Sequence, residues 1–210
     1  MNNINVKGKL MNNINLKGIL KNIQYSHNIG DIEYDKATLL VARDNGKEDL
    51  IELKFKRFSN IYNENDEIEI RGNIRTYSQK LEDRNRVNVY VFTYFDRPEE
   101  ETPEGYNSNS YCEIDGTICK KNELRKTMKG KDVLDFIVAN NIMTNTQYLN
   151  CYLPCVAWGK CAKALNNLQV GDKIKIKGSL QSREYKKKIS DEDFELRIAH
   201  EISVNTFEKV

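Results

Sequence analysis

Two hexapeptides limit what this chain can fold into: Glu67-Ile-Glu-Ile-Arg-Gly72 and Lys173-Ile-Lys-Ile-Lys-Gly178. Each alternates isoleucine with charge, the two-residue period of a strand with one buried and one wet face. Each ends in glycine at the same place, as expected where a strand bends or bulges around a small barrel. Aligning Gly72 with Gly178 also brings Ile74 onto Leu180. The chain therefore carries a diverged internal repeat, and the unit repeated is built from strands.

The same order of segments recurs in both halves. Period-two runs are expected as strands at 15–25, 37–43, 50–58, 67–77 and 87–94, and again at 111–124, 133–140, 148–158, 173–185 and 194–207. One helical face, Trp158, Cys161, Ala162, Leu165 and Leu168, predicts a helix over 158–168 that Gly171 stops. In the first half residues 58–62 fill the same slot and leave room for about one turn. Five strands with a helix between the third and fourth describe an oligonucleotide/oligosaccharide-binding (OB) barrel, so the expected fold is all-β with two such barrels in tandem. An SH3-like barrel or a partial sandwich fits the same strand count.

Residues 96–110 hold two of the three prolines, four glutamates and an Asn/Ser run, which reads as a linker. The expected division is a first barrel at 11–95, the linker at 96–110 and a second barrel at 111–210, with the linker cut first by proteases. The first ten residues, MNNINVKGKL, are nearly repeated by the next ten, MNNINLKGIL, and read as an accessory arm.

Charge excludes a histone-like binder: Lys+Arg number 33 against Asp+Glu 31, for a net of +2. No run approaches the roughly 18 apolar residues of a membrane span, and the start has no apolar leader, so a soluble cytoplasmic protein is expected. Cys112, Cys119, Cys151, Cys155 and Cys161 all lie in the second half, and Cys151-x-x-x-Cys155 has no second pair or nearby histidine. Reduced, structural thiols are expected, with no metal and no cofactor. His27 and His200 stand alone, no phosphate-cradling glycine loop occurs, and the carboxylate runs 99–101 and 191–193 read as solvated faces. No catalytic residue is expected.

What recurs instead is aromatic rings interleaved with bases. The second half offers Tyr148, Tyr152, Trp158 with Lys160, and Arg183 with Tyr185. The first half offers Lys54 and Lys56 with Phe58, Arg75 with Tyr77, and Tyr90. Rings stack on unpaired bases and cations neutralise phosphates, the two ingredients of a single-strand groove. At least half of such rings are ordinarily core or cross-strand packing. Lys175 and Lys177 replace Glu69 and Arg71 of the first copy, which predicts tighter nucleic-acid binding by the second half.

Val156-Ala-Trp-Gly-Lys-Cys-Ala162, followed by Leu168-Gln-Val-Gly-Asp-Lys-Ile-Lys-Ile-Lys-Gly-Ser-Leu-Gln-Ser-Arg-Glu-Tyr185, resembles the bacterial single-stranded-DNA-binding proteins. The resemblance implies an OB fold, base-stacking roles for Trp158, Tyr185 and Tyr152, and phosphate contacts from Lys160 and Arg183. It implies single-stranded DNA as ligand, replication or recombination proteins as partners, and a monomer or homodimer. That family's second-strand aromatic has no counterpart here, where Ile142 and Met143 fall nearby, and Lys163 stands in place of an acidic helix residue. The sequence ends on Val204-Asn-Thr-Phe-Glu-Lys-Val210 in place of the family's acidic tip, so recruitment by that tip does not carry over. A replication-complex adaptor and a single-stranded-RNA binder are the alternatives.

Overall fold

The computed structural model describes residues 10–57, 62–80, 85–98, 101–143, 148–188 and 193–210. Among these the first half forms β1 (Asn12–Ile29), β2 (Ile32–Ala42), β3 (Glu48–Lys56), β4 (Glu67–Lys80) and β5 (Asn85–Thr93). The second half forms β6 (Ser110–Lys121), β7 (Arg125–Lys126), β8 (Asp132–Met143), β9 (Tyr148–Trp158), α1 (Gly159–Leu165), β10 (Lys173–Lys188) and β11 (Phe194–Lys209).

Pairings return on themselves within each half. In the first, β1 pairs with β2, β2 with β3, β3 in parallel with β5, β5 with β4, and β4 with β1. In the second, β6, β8, β9, β11 and β10 follow the same order, with β9–β11 as the parallel step. This all-β arrangement is that of the OB fold. Alternation along the strands sends Ile14, Leu16, Leu39, Ile51, Ile70 and Ile74 inward in the first half, and Ile114, Ile118, Leu153, Ile176 and Leu180 inward in the second; all are essentially buried. Each such side chain contributes about 1.5–3 kcal/mol.

The repeated glycines sit where strands touch. A Cβ on Gly178 would lie 2.2 Å from the Ser203 carbonyl oxygen, and one on Gly72 would lie 2.7 Å from that of Phe92. The β10–β11 register also slips between Lys177 and Gly178, the bulge expected there.

The helix is shorter than its apolar face suggests. It ends at Leu165, and the amides of Asn167 and Leu168 donate three residues back, to Ala164 and Leu165, in a tightened turn. Asn166 and Asn167 favour turns over helix interior. Leu168 is still buried against the core. The first-half turn expected at 58–62 lies largely outside the described residues, and Phe58 with it.

The halves are welded together. β1 pairs with β6 from Asn12 opposite Ile114 to Leu16 opposite Ser110. Beside this ladder the buried Asn12 amide donates to the Ile74 carbonyl (2.9 Å) and to Asn140 Oδ1 (2.8 Å), and accepts from the Ile74 amide. Asn140 in turn donates to the carbonyls of Met11 and Asp115. On another side, fully buried Asp49 accepts from Arg43 Nε (2.7 Å) and from the Ser182 amide. Part of the 96–110 segment is packed rather than free. Tyr106 meets the Tyr111 ring edge-on and shares a hydrogen bond with Thr206, and Asn109 donates to the Ala42 carbonyl.

Candidate nucleic-acid interface

Residues at even positions of β2 and β3 point out of the first ring, and register stacks them in rows. Leu40 lies opposite Leu50, Thr38 opposite Glu52, Lys36 opposite Lys54, and Tyr34 opposite Lys56. The four rows span about 20 Å of strand. The neighbouring strands extend the middle two rows, since Lys54 pairs in register with Phe92 of β5, and Tyr90, level with Glu52, pairs with Arg75 of β4.

This face concentrates cations on rings. Lys54 Nζ lies 4.3 Å from the centre of Tyr77 and 4.4 Å from that of Tyr90, and the Arg75 guanidinium lies 3.9 Å from that of Phe92. Phe92 contacts both Tyr34 and Tyr94. Burial raises the pKa of Tyr90 and of Tyr77, so both rings stay uncharged beside a polyanion. Lys36 and Lys54 are opposed like charges, an arrangement that costs about 0.2–1 kcal/mol without an anion to share. Of the two, Lys54 alone has a carboxylate within 4 Å among the described residues, Glu52 at 3.4 Å.

The second half continues this surface in two places. The Tyr152 amide donates to Thr76 Oγ1 at 3.0 Å, which sets β9 against β4 beside Arg75 and Tyr77. Tyr77 and Tyr152 are each about half exposed. A 760 Å³ cleft also separates the halves, with Glu52, Lys21 and Arg86 on one wall and Arg183, Tyr185 and Glu201 on the other. Arg183 lies 5.7 Å from the Tyr185 ring centre and 3.8 Å from Glu201. Burial raises the Glu201 pKa and lowers that of His200, whose Nε2 is 2.6 Å from the Leu50 carbonyl oxygen.

Tyr148, Tyr152 and Trp158 share the outward face of β9, yet Tyr148 and Trp158 stand about 33 Å apart along the strand. Tyr148 is 67% exposed at the β8–β9 hairpin end. Trp158 is half-buried opposite Val133, with Lys131 Nζ 5.3 Å from its ring, and Lys160 is exposed on α1. Between them the outward residues of β8 and β9 include no lysine or arginine.

Lys175 and Lys177 lie elsewhere. They face outward on β10 beside β6, where Lys177 bridges Glu113 at 2.9 Å and Lys175 stands opposite Asp115. Tyr111 donates to the same Glu113. In the first half Lys17 balances Glu67 in the same way. The charge contrast between the two fourth strands is thus offset by the opposite contrast on their first-strand partners, and it gives no ground for tighter binding by the second half. Tyr34, Lys36, Phe92, Tyr94 and Arg86 escaped the sequence reading. Tyr34 and Lys36 alternate outward as Lys54 and Lys56 do, a signal that becomes visible only once β2 is paired with β3.

Outward rings and cations on a five-stranded barrel are the surface of an OB-type binding protein. Residues 111–209 match the model of the single-strand binding protein family. Two solved structures share the fold at 16% identity and a TM-score of 0.69. The wild-type single-stranded DNA binding protein of Thermus aquaticus aligns over 97% of this chain and 94% of its own. Its deletion mutant lacking residues 228–252, with an Arg-to-Ala change, aligns over 96% and 95%. No curated protein sequence matches the chain significantly. Among the described residues no His/Cys/Asp/Glu group is arranged to hold a metal, and no helix is long and apolar enough to cross a membrane.

Proposed function

We propose that this chain binds and protects single-stranded DNA without catalysis, in replication, recombination or mobile-element transfer. In this reading the units 11–95 and 111–210 act on one strand. The observation that carries it is Lys54 held between Tyr77 and Tyr90, with Arg75 over Phe92. The uncharged rings of exposed Tyr77 and half-buried Tyr90 are offered to bases and the cations beside them to phosphates, while buried Phe92 is the platform under Arg75. The family matched by the second half and the ligand named for the Thermus proteins favour DNA over RNA. The strand runs along the outward face of β2, β3, β5 and β4 and passes to Tyr152 and Trp158 on β9, with Arg183 and Tyr185 flanking the cleft. Lys160, Tyr148 and Lys56 extend the phosphate and base contacts at the margins.

Trp158 is the only tryptophan, so its fluorescence reports on β9 alone. Adding oligo-thymidine is expected to quench it, with competition by single-stranded DNA far stronger than by duplex or RNA. Trp158→Ala is expected to cost roughly 1–3 kcal/mol of binding with a near-normal melt. Unchanged emission at saturation with a collapsed melt would make Trp158 a packing residue. Equal competition by all three nucleic acids would remove the DNA reading.

A further inference from the structure

Resting on the reading of β9 as part of the single-strand path, we propose that the hairpin at residues 125–131 is a second nucleic-acid site. It takes the duplex end of a junction between single-stranded and double-stranded DNA. Met128 stands fully exposed at the tip of this hairpin. The tip is not loose. The Thr127 amide donates to the Lys131 carbonyl (2.9 Å), the Gly130 amide to the Thr127 carbonyl (2.8 Å), and the Lys131 amide to Thr127 Oγ1 (3.1 Å). Gly130 has a φ of +76°, the left-handed residue that closes a three-residue hairpin loop. Such turns are dominated by Gly, Pro, Asn, Asp and Ser, and nothing in the folding of this one requires a methionine.

The hairpin is also basic. Lys126, Lys129 and Lys131 are exposed, while Asp132 and Asp135 on β8 are engaged by Lys163 at 3.2 Å and by Arg125 at 2.7 Å. Among the described residues no carboxylate lies within 4 Å of those three lysines. Three uncompensated cations on one turn attract a polyanion. Their position joins them to the strand path. Arg125 pairs with Val133, which pairs on its other side with Trp158, the last residue of β9. The hairpin therefore starts level with the end of the stacking face and overhangs it by roughly 10 Å at Met128. Lys131 Nζ, 5.3 Å from the Trp158 ring, sits between the two.

What lies past Trp158 suits paired rather than unpaired bases. Residues 122–131 contain no aromatic ring, so a single strand continuing there would find no stacking platform. A duplex needs none, because its bases already stack, and it carries about one negative charge per 1.7 Å for the lysines to meet. Its one broad apolar surface is the face of the terminal base pair. An unbranched, polarisable thioether is suited to lie on that face, as apolar wedges, methionine among them, do between base steps. One strand of the junction then runs onto Trp158 and β9, and the paired end abuts Met128 with Lys126 and Lys129 beside its phosphates.

The test uses the full chain and three kinds of DNA: oligo-thymidine, the same oligo-thymidine as a 5′ or 3′ overhang on a closed stem-loop, and the blunt stem-loop alone. The parent is expected to bind one of the overhang DNAs about tenfold more tightly than oligo-thymidine, and the blunt stem-loop far more weakly than either. Met128→Ser, and separately Lys126→Ser/Lys129→Ser, should lose most of that advantage while keeping the parent's melt and its affinity for oligo-thymidine. The emission of 2-aminopurine in the last base pair should change when the parent binds and stay near its free value with Met128→Ser. Equal affinity of the parent for overhang and free oligo-thymidine overturns the junction site and leaves the single-strand reading standing. An equal loss on both DNAs in the variants overturns it too, by making the hairpin part of the ordinary strand path. A parent that does not bind oligo-thymidine removes the reading of β9, and the junction site with it.

Discussion

Asp49→Ala is expected to lower stability by about 3–5 kcal/mol, the cost of breaking a buried ion pair and leaving its partners stranded. Asp49 is fully buried at the start of β3, and its removal deserts Arg43 and the Ser182 amide together. The damage spreads through the seam between the halves. Arg43 also donates to the Ser182 carbonyl at 2.8 Å, and the Leu50 amide donates to Ser182 Oγ at 2.9 Å. Replacing Arg43 and Asp49 together with leucines is expected to recover part of the loss, because no charge is then left unpaired. Urea unfolding measures both. A loss below about 1 kcal/mol for Asp49→Ala would mean the seam contributes little to the fold.

The largest expected effect on DNA comes from Tyr77→Ala combined with Tyr152→Ala. Base stacking is worth about 1–3 kcal/mol per ring, so two rings on one strand path are expected to cost roughly 2–6 kcal/mol, some 30-fold to more than 10,000-fold in Kd. Both rings are half exposed, so the melt should change little. Stacking is indifferent to salt. The slope of log affinity against log salt should therefore hold in this variant and flatten in one lacking Lys54, Lys56 and Arg75, by about 0.7 per cation that meets a phosphate. Equal affinities for parent and double variant would take the strand off this face.

The strands were legible because alternation reports which face of a strand is buried, and both repeats wrote it clearly in Glu67–Arg71 and Lys173–Lys177. Alternation says nothing about what lies beside the outward face. Lys175 and Lys177 read as free cations, although Glu113 and Asp115 on β6 face them across the ladder. Arg75, Tyr77, Lys54 and Tyr90 were each visible in the sequence but lie on three different strands, and only the β3–β5–β4 register gathers them. The seam was invisible for the same reason. Nothing local to Asn12, Asn140, Asp49 or Ser182 tells that they meet across more than a hundred residues.

Lysine footprinting tests the central placement most directly. The full chain is acetylated with and without saturating oligo-thymidine, and each lysine's reactivity is compared. DNA on the outward face of β2 and β3 should protect Lys36, Lys54 and Lys56 while leaving Lys17, Lys173, Lys175 and Lys177 as reactive as before. Protection of Lys175 and Lys177, with Lys36, Lys54 and Lys56 unchanged, would contradict it and put the strand on the β4–β1–β6–β10 side of the molecule.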